Sequence, residues 1–140
     1  MTKSNSSSVL SKQQIDEVVG LYSSGKYQEA INKIQILNEA CPNVPLLFNL
    51  IGACYKALGQ LENSAIMFKK AVSIKTNYAE AHKNLGIVQK NLGMLEDSIQ
   101  SLKHAVFHKS DYLDAHYHLA NSLKDNNQLD DAVRSYEKVI

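Results

Sequence analysis

The sequence predicts an all-α protein made of antiparallel helix hairpins in series, and three observations predict it. The chain matches itself when shifted by 34 residues: Gly52 falls on Gly86 and Ala120, Gly25 on Gly59, Gly93 and Asn127, and Ile34 on Phe68, Leu102 and Tyr136. Within each frame apolar residues recur at helical spacing, as in Ile66, Met67, Phe68, Ala71, Val72 and Ile74. No stretch alternates with period two for long enough to make a strand. Glycine and proline, at 6 and 2 residues, are too few for a loop-rich fold.

The repeat divides residues 11–140 into frames 11–44, 45–78, 79–112 and 113–140, the last one incomplete, after a Ser-rich segment 1–10 expected to be disordered. Each frame reads as two helices. The first helix of a frame ends at Gly25, Gly59, Gly93 or Asn127, the two residue types that best tolerate the left-handed conformation closing a helix. The second begins with "YQEAI", "LENSA", "LEDSI" or "LDDAV", whose acidic residues suit the positive end of a helix dipole. Ser11 followed by Gln14 has the spacing of a capping box, and Pro45 suits the first turn of the second frame. Pro42 ends the helix before it, whereas Thr76 and Ser110 stand at the same place later and give weaker stop signals.

The small residues Gly52, Gly86 and Ala120 fall mid-way along the first helices, and Ser64, Ser98 and Ala132 early in the second ones. They are expected to meet where the two backbones of a hairpin are closest, which compensates the roughly 1 kcal/mol propensity cost of a mid-helix glycine. Phe68, Leu102 and Tyr136 are expected to fill the wider spaces between hairpins. The first frame departs from this pattern, with Glu17 and Val18 where the third has Leu85 and Gly86, and its leading helix is expected to sit rotated.

Composition excludes several classes. A net charge of +1 gives no general preference for polyanions, so no nucleic-acid partner is expected. No apolar run approaches the roughly 20 residues that cross a bilayer. The start "MTKSNSSSVL" lacks the apolar core of a secretory signal, so a cytoplasmic protein without a membrane partner is expected. Cys41 and Cys54 form no metal or redox spacing. His104 and His108 share a helix face but lack the further ligands a zinc ion needs, and His82 and His116 are repeat positions at a hairpin contact. No nucleophile has a neighbouring base, and hairpins in series offer no deep cleft in which to perturb a pKa. The expectation is no enzyme, no cofactor and no metal.

The 34-residue period and the runs "NLGIVQKNLGMLEDSIQSLKHAV" and "NLIGACYKALGQLENSAIMFKKAV" resemble the tetratricopeptide repeat. The resemblance covers residues 11–140 and implies a right-handed α-solenoid, with a concave groove lined by the first helices that receives an extended peptide or a partner helix. Carried over position by position, it assigns to that groove Tyr22, Asn49, Lys56, Lys83, Asn84, Ile87, Lys90, Tyr117, Asn121 and Lys124. Lys56, Lys90 and Lys124 recur at the period and form a ladder that favours an acidic peptide. The amides of Asn49, Asn84 and Asn121 can bond a peptide backbone as donor and acceptor. His118 lies on the same face and could tune binding with pH. The resemblance excludes the subtype that grips a chaperone's C-terminal carboxylate: Lys83 fits one of its slots, but Ile87 stands where an asparagine is needed and no arginine follows.

A second reading concerns a larger parent. "YAEAHKNLG" followed by "YLDAHYHLA" resembles the repeats preceding the catalytic region of O-linked N-acetylglucosamine transferases. Asn84 matches their groove asparagine, while His118 and Leu50 break the row. On that reading the chain is a non-catalytic substrate-recognition arm of a glycosyltransferase or sulfotransferase, truncated at residue 140. Because the fourth frame stops inside its second helix with Val133, Tyr136, Val139 and Ile140 uncovered, self-association through 129–140 is expected.

Overall fold

In the computed structural model, which describes residues 9–140, every regular element is an α-helix. Most of the segment expected to be disordered, 1–10, lies outside the described residues. Two compact units divide the chain after Ile74. The first holds α1 (Lys12–Ser23), α2 (Tyr27–Ala40), α3 (Pro45–Ala57) and α4 (Leu61–Ile74). The second holds α5 (Ala79–Asn91), α6 (Leu95–His108), α7 (Leu113–Asp125) and α8 (Leu129–Glu137). None is long and apolar enough to cross a membrane.

The helix boundaries follow from local chemistry. Ser11 and Gln14 form the capping box, each side chain bonding the other's backbone N–H. Pro45 opens α3. The first helix of every hairpin closes in a Schellman turn. Gly25, Gly59, Gly93 and Asn127 take φ of 77°, 77°, 82° and 63°. The N–H groups of Lys26, Gln60, Met94 and Gln128 reach back to the carbonyls of Leu21, Tyr55, Gln89 and Leu123.

The core of the first unit gathers Val18, Ile31, Ile34, Leu37, Leu47, Ile51 and Cys54, and that of the second Ile99, Leu102, Leu119, Leu123 and Ala132. Burial pushes the Cys54 thiol up to about 11, so it behaves as a small apolar side chain.

The mid-helix glycines have a sharper purpose than closeness of two backbones. A Cβ on Gly52 would lie 2.7 Å from Phe68 Cε1, and one on Gly86 2.6 Å from Leu102 Cγ. Phe68 and Leu102 therefore lie directly over the glycines of their own hairpins, and Leu102 also packs with Leu119 and Leu123 of the following hairpin, as expected of a side chain filling the space between hairpins. The serines do meet the glycines: Ser64 Oγ and Ser98 Oγ donate to the carbonyls of Gly52 and Gly86, each at 2.7 Å. A hydroxyl and a ring thus share one notch. The first hairpin narrows the size difference, with Val18 at the glycine position and Ile34 at the Phe68 position, both buried. Val18 is 0 % exposed, so α1 turns this position inward, and it is the one residue of α1 that is buried.

Candidate functional site

The ten residues assigned to the groove divide between the units. Tyr22, Asn49 and Lys56 belong to the first, on α1 and α3; the other seven belong to the second, on α5 and α7. In the first unit Tyr22 is exposed and meets the Tyr27 ring edge-on at 5.4 Å. Lys56 is half-buried in the last turn of α3. Asn49 is only 4 % exposed, so its amide faces the interior rather than a ligand. Repeat position does not give depth, which depends on how neighbouring side chains close over a helix face.

In the second unit α5 and α7 lie side by side, and two ion pairs join them. Lys83 Nζ donates to Asp114 Oδ2 at 2.8 Å, and Lys90 Nζ lies 3.5 Å from Asp125 Oδ2. His118 Nε2 stands 3.4 Å from the other oxygen of Asp114. Burial acts to lower the Lys83 pKa, but the bond to Asp114 and the neighbouring Tyr112 outweigh it, and the ammonium is held above its ordinary value. Lys83 also lies 5.3 Å from the centre of the Tyr112 ring. Asn84 and Ile87 are half-buried between these lysines, and Tyr117 and Lys124 are exposed on α7. Tyr136 of α8 donates its hydroxyl to Asn121 Oδ1, which occupies one acceptor of that amide and leaves its N–H groups.

This face is therefore mixed in charge, not cationic. Asp114 and Asp125 supply its negative charge, a counter-ion role that depends on side-chain reach and that spacing alone does not give. The lysine ladder also has a local cause. Lys56, Lys90 and Lys124 each sit in the last turn of a first helix, where a positive charge complements the helix dipole.

The histidines at the hairpin contacts do more than fill space. His82 Nε2 donates to the Thr76 carbonyl at 2.8 Å, and His116 Nε2 to the Ser110 carbonyl at 2.9 Å. Thr76 and Ser110 occupy the place of Pro42, and His82 and His116 the place of Phe48. Where the proline is absent, a histidine pins the connection by its carbonyl. His82 also stacks near His104 and His108, at centroid distances of 5.1 and 5.7 Å. Among the described residues no three His, Cys, Asp or Glu side chains are placed to hold a metal ion.

Burial lowers the His82 pKa below its usual value; the Thr76 bond opposes this in part, and the two neighbouring imidazoles lower it further. The unfolded chain then takes up a proton before the folded one does. Stability is present above the ordinary histidine pKa and is lost as the pH falls through the depressed folded value. Thermal unfolding recorded between pH 7.5 and 5 should show a falling Tm. His104→Gln with His108→Gln should make that fall shallower by removing like charge, and an unchanged slope in the double variant counts against the account.

The geometry can be compared with known proteins. A sequence profile of the tetratricopeptide repeat matches residues 47–78 and 113–140. No curated protein matches the chain by sequence. Among solved structures, a MamA fragment from Desulfovibrio magneticus RS-1 is 21 % identical with a TM-score of 0.82, over 90 % of this chain and 71 % of that one. YrrB, described as a tetratricopeptide-repeat protein with an unusual peptide-binding site, is 20 % identical with a TM-score of 0.79, over 91 % and 66 %. The O-GlcNAc transferase of Thermobaculum terrenum is 24 % identical with a TM-score of 0.77; 88 % of this chain aligns with 23 % of the enzyme. At these identities the likeness establishes the fold alone, an all-α series of helix hairpins.

Proposed function

We propose that the chain, which matches a tetratricopeptide-repeat profile at residues 47–78 and 113–140, binds an extended peptide along the first helices of its repeats. The fold and its relatives support a protein-interaction module. The observation that carries the finer reading is the side-by-side setting of α5 and α7, which puts Asn84, Ile87, Tyr117 and Asn121 on adjoining helices between two ion pairs. The Asn121 amide N–H groups can bond a peptide carbonyl, Ile87 and Tyr117 can cover an apolar side chain, and Lys124 can meet a carboxylate. A structure of YrrB described with a peptide-binding site gives the same fold a precedent for such a ligand.

A peptide array probed with wild type and with a Lys56/Lys90/Lys124→Glu variant tests the reading. Acidic extended peptides should bind wild type and be lost from the variant. Equal retention by both proteins would reduce the ladder to solvation and dipole compensation.

A second reading is favoured by one finding, the likeness to about a quarter of the Thermobaculum terrenum transferase. On it the repeats present substrate to a transferase domain elsewhere in the same protein. The gene sequence beyond the codon for Ile140 discriminates the two: a glycosyltransferase or sulfotransferase domain supports the arm, and a stop codon removes it.

A further inference from the structure

We propose that α6 pairs antiparallel with α6 of a second copy of this chain, forming a two-fold dimer. Glu96, Asp97, Gln100, Lys103, His104 and Phe107 are all exposed along this helix, three or four residues apart, so they make one outward stripe. The stripe changes character along its length. Carboxylates occupy its first turn and an amide its middle. An ammonium, an imidazole and an aromatic ring follow. Such an order is its own complement when the second copy runs the opposite way.

With the two-fold axis at Gln100, the equal rise of the two helices fixes every pairing. Asp97 comes opposite Lys103 of the second copy. Glu96 comes opposite His104, whose ring N–H donates to a carboxylate in either protonation state. The two Gln100 amides meet, each offering a donor and an acceptor. Phe107 comes beside Met94, a favourable contact of ring and thioether. Each is otherwise open to water, Phe107 at 80 % exposure and Met94 at 38 %. The fold does not ask for an aromatic residue at 107, since the equivalent positions one and two repeats earlier are Ser73 and Glu39. Among the described residues, Glu96, Asp97 and Lys103 enter no ion pair within the chain, so a second copy displaces none. One helix pair is a small contact, so the dimer is transient.

This surface goes beyond the peptide face, which was assigned to first helices, and it is separate from residues 129–140. Each can fail without the others.

Sedimentation of the full chain over a range of concentrations should show a monomer–dimer equilibrium. Asp97→Lys alone and Lys103→Asp alone should each weaken it about tenfold, because the two-fold axis turns each reversal into two repelling pairs. An equimolar mixture of the two variants should regain wild-type affinity, since each introduced charge then meets its opposite. Gln100→Cys, with oxidised glutathione as the oxidant, should form an intermolecular disulfide faster than Ser73→Cys, while the native Cys41 and Cys54 stay buried. The proposal is overturned if the wild type stays monomeric at every concentration, if the mixed variants associate no better than either alone, or if Gln100→Cys cross-links no faster than Ser73→Cys. Association that ignores both reversals places the contact elsewhere and overturns it too. The wild-type and cysteine measurements stand should a reversed variant not fold.

Discussion

Truncating Phe68 to alanine is expected to destabilise the protein by about 3–5 kcal/mol, the usual cost of emptying a core site of an aromatic ring. Phe68 is 0 % exposed and occupies the notch left by Gly52. The more informative result is the sign of a second substitution. In wild type, Gly52→Ala drives a methyl to 2.7–3.1 Å from three ring atoms of Phe68. Overpacking of that kind costs about 1–3 kcal/mol, against a helix-propensity gain of about 1 kcal/mol, so the net effect is destabilising. With Phe68 already alanine the clash is gone. The added methyl then refills part of the cavity and keeps its propensity gain, so Gly52→Ala should stabilise that background. Urea unfolding of the four proteins measures the cycle, and an effect of Gly52→Ala that is equal in the two backgrounds would falsify the notch. Gly86 and Leu102 repeat the arrangement more tightly, because the contact at 2.6 Å is to Leu102 Cγ, near the root of the side chain. Rotation about the outer bond cannot relieve it.

That pairing marks the limit of what the sequence could reveal. The hairpins, their boundaries and their terminators were legible because each is a demand of the local backbone. Left-handed closure at Gly25, Gly59, Gly93 and Asn127 is one such demand, and the reciprocal bonds of Ser11 and Gln14 are another. The period of 34 then fixed which residues are equivalent. Equivalence does not tell which side chain fills which space. Ser64 and Phe68 lie one helical turn apart, and the sequence pointed only Ser64 at Gly52; the structure gives the carbonyl to the hydroxyl and the missing Cβ to the ring. The candidate site shows the same boundary. Position placed Asn49 and Lys83 on one face, but the burial of Asn49 and the pairing of Lys83 with Asp114 arise from neighbours far away in sequence. Likewise, the loss of proline at Thr76 and Ser110 read as a weakened stop. The carbonyl bonds of His82 and His116 restore it through a contact that only three dimensions display.

Removing the carboxylate of Asp114 is the second substitution with a large expected effect, and its partner should respond asymmetrically. The Lys83 side chain is only 15 % exposed, whereas that of Asp114 is 53 % exposed. Asp114→Ala leaves a largely buried ammonium without its carboxylate, and a loss of about 1.5–3 kcal/mol is expected, the range for a hydrogen bond to a charged group. Lys83→Met removes the charge that had to be desolvated and keeps an apolar stem in the same space, so it should be nearly neutral. Adding Asp114→Ala to Lys83→Met should then cost little, and losses that simply add would refute the coupling. The raised pKa of Lys83 sets the pH range in which the pair acts. A base with a raised folded pKa contributes stability that is full below its unfolded pKa and lost as the pH rises through the folded value. Lys83 therefore keeps its charge through neutral pH, and its contribution fades only on the alkaline side of the usual lysine range. The same geometry bears on ligand binding. A peptide carboxylate approaching Lys83 must first displace Asp114. Asp114→Asn, which keeps an acceptor and removes the charge, should raise affinity for an acidic peptide by up to about fivefold, since an exposed ion pair is worth roughly 0–1 kcal/mol. Calorimetry with a peptide selected on wild type measures this, and weaker binding by the Asp114→Asn protein would mean that the aspartate itself contacts the ligand.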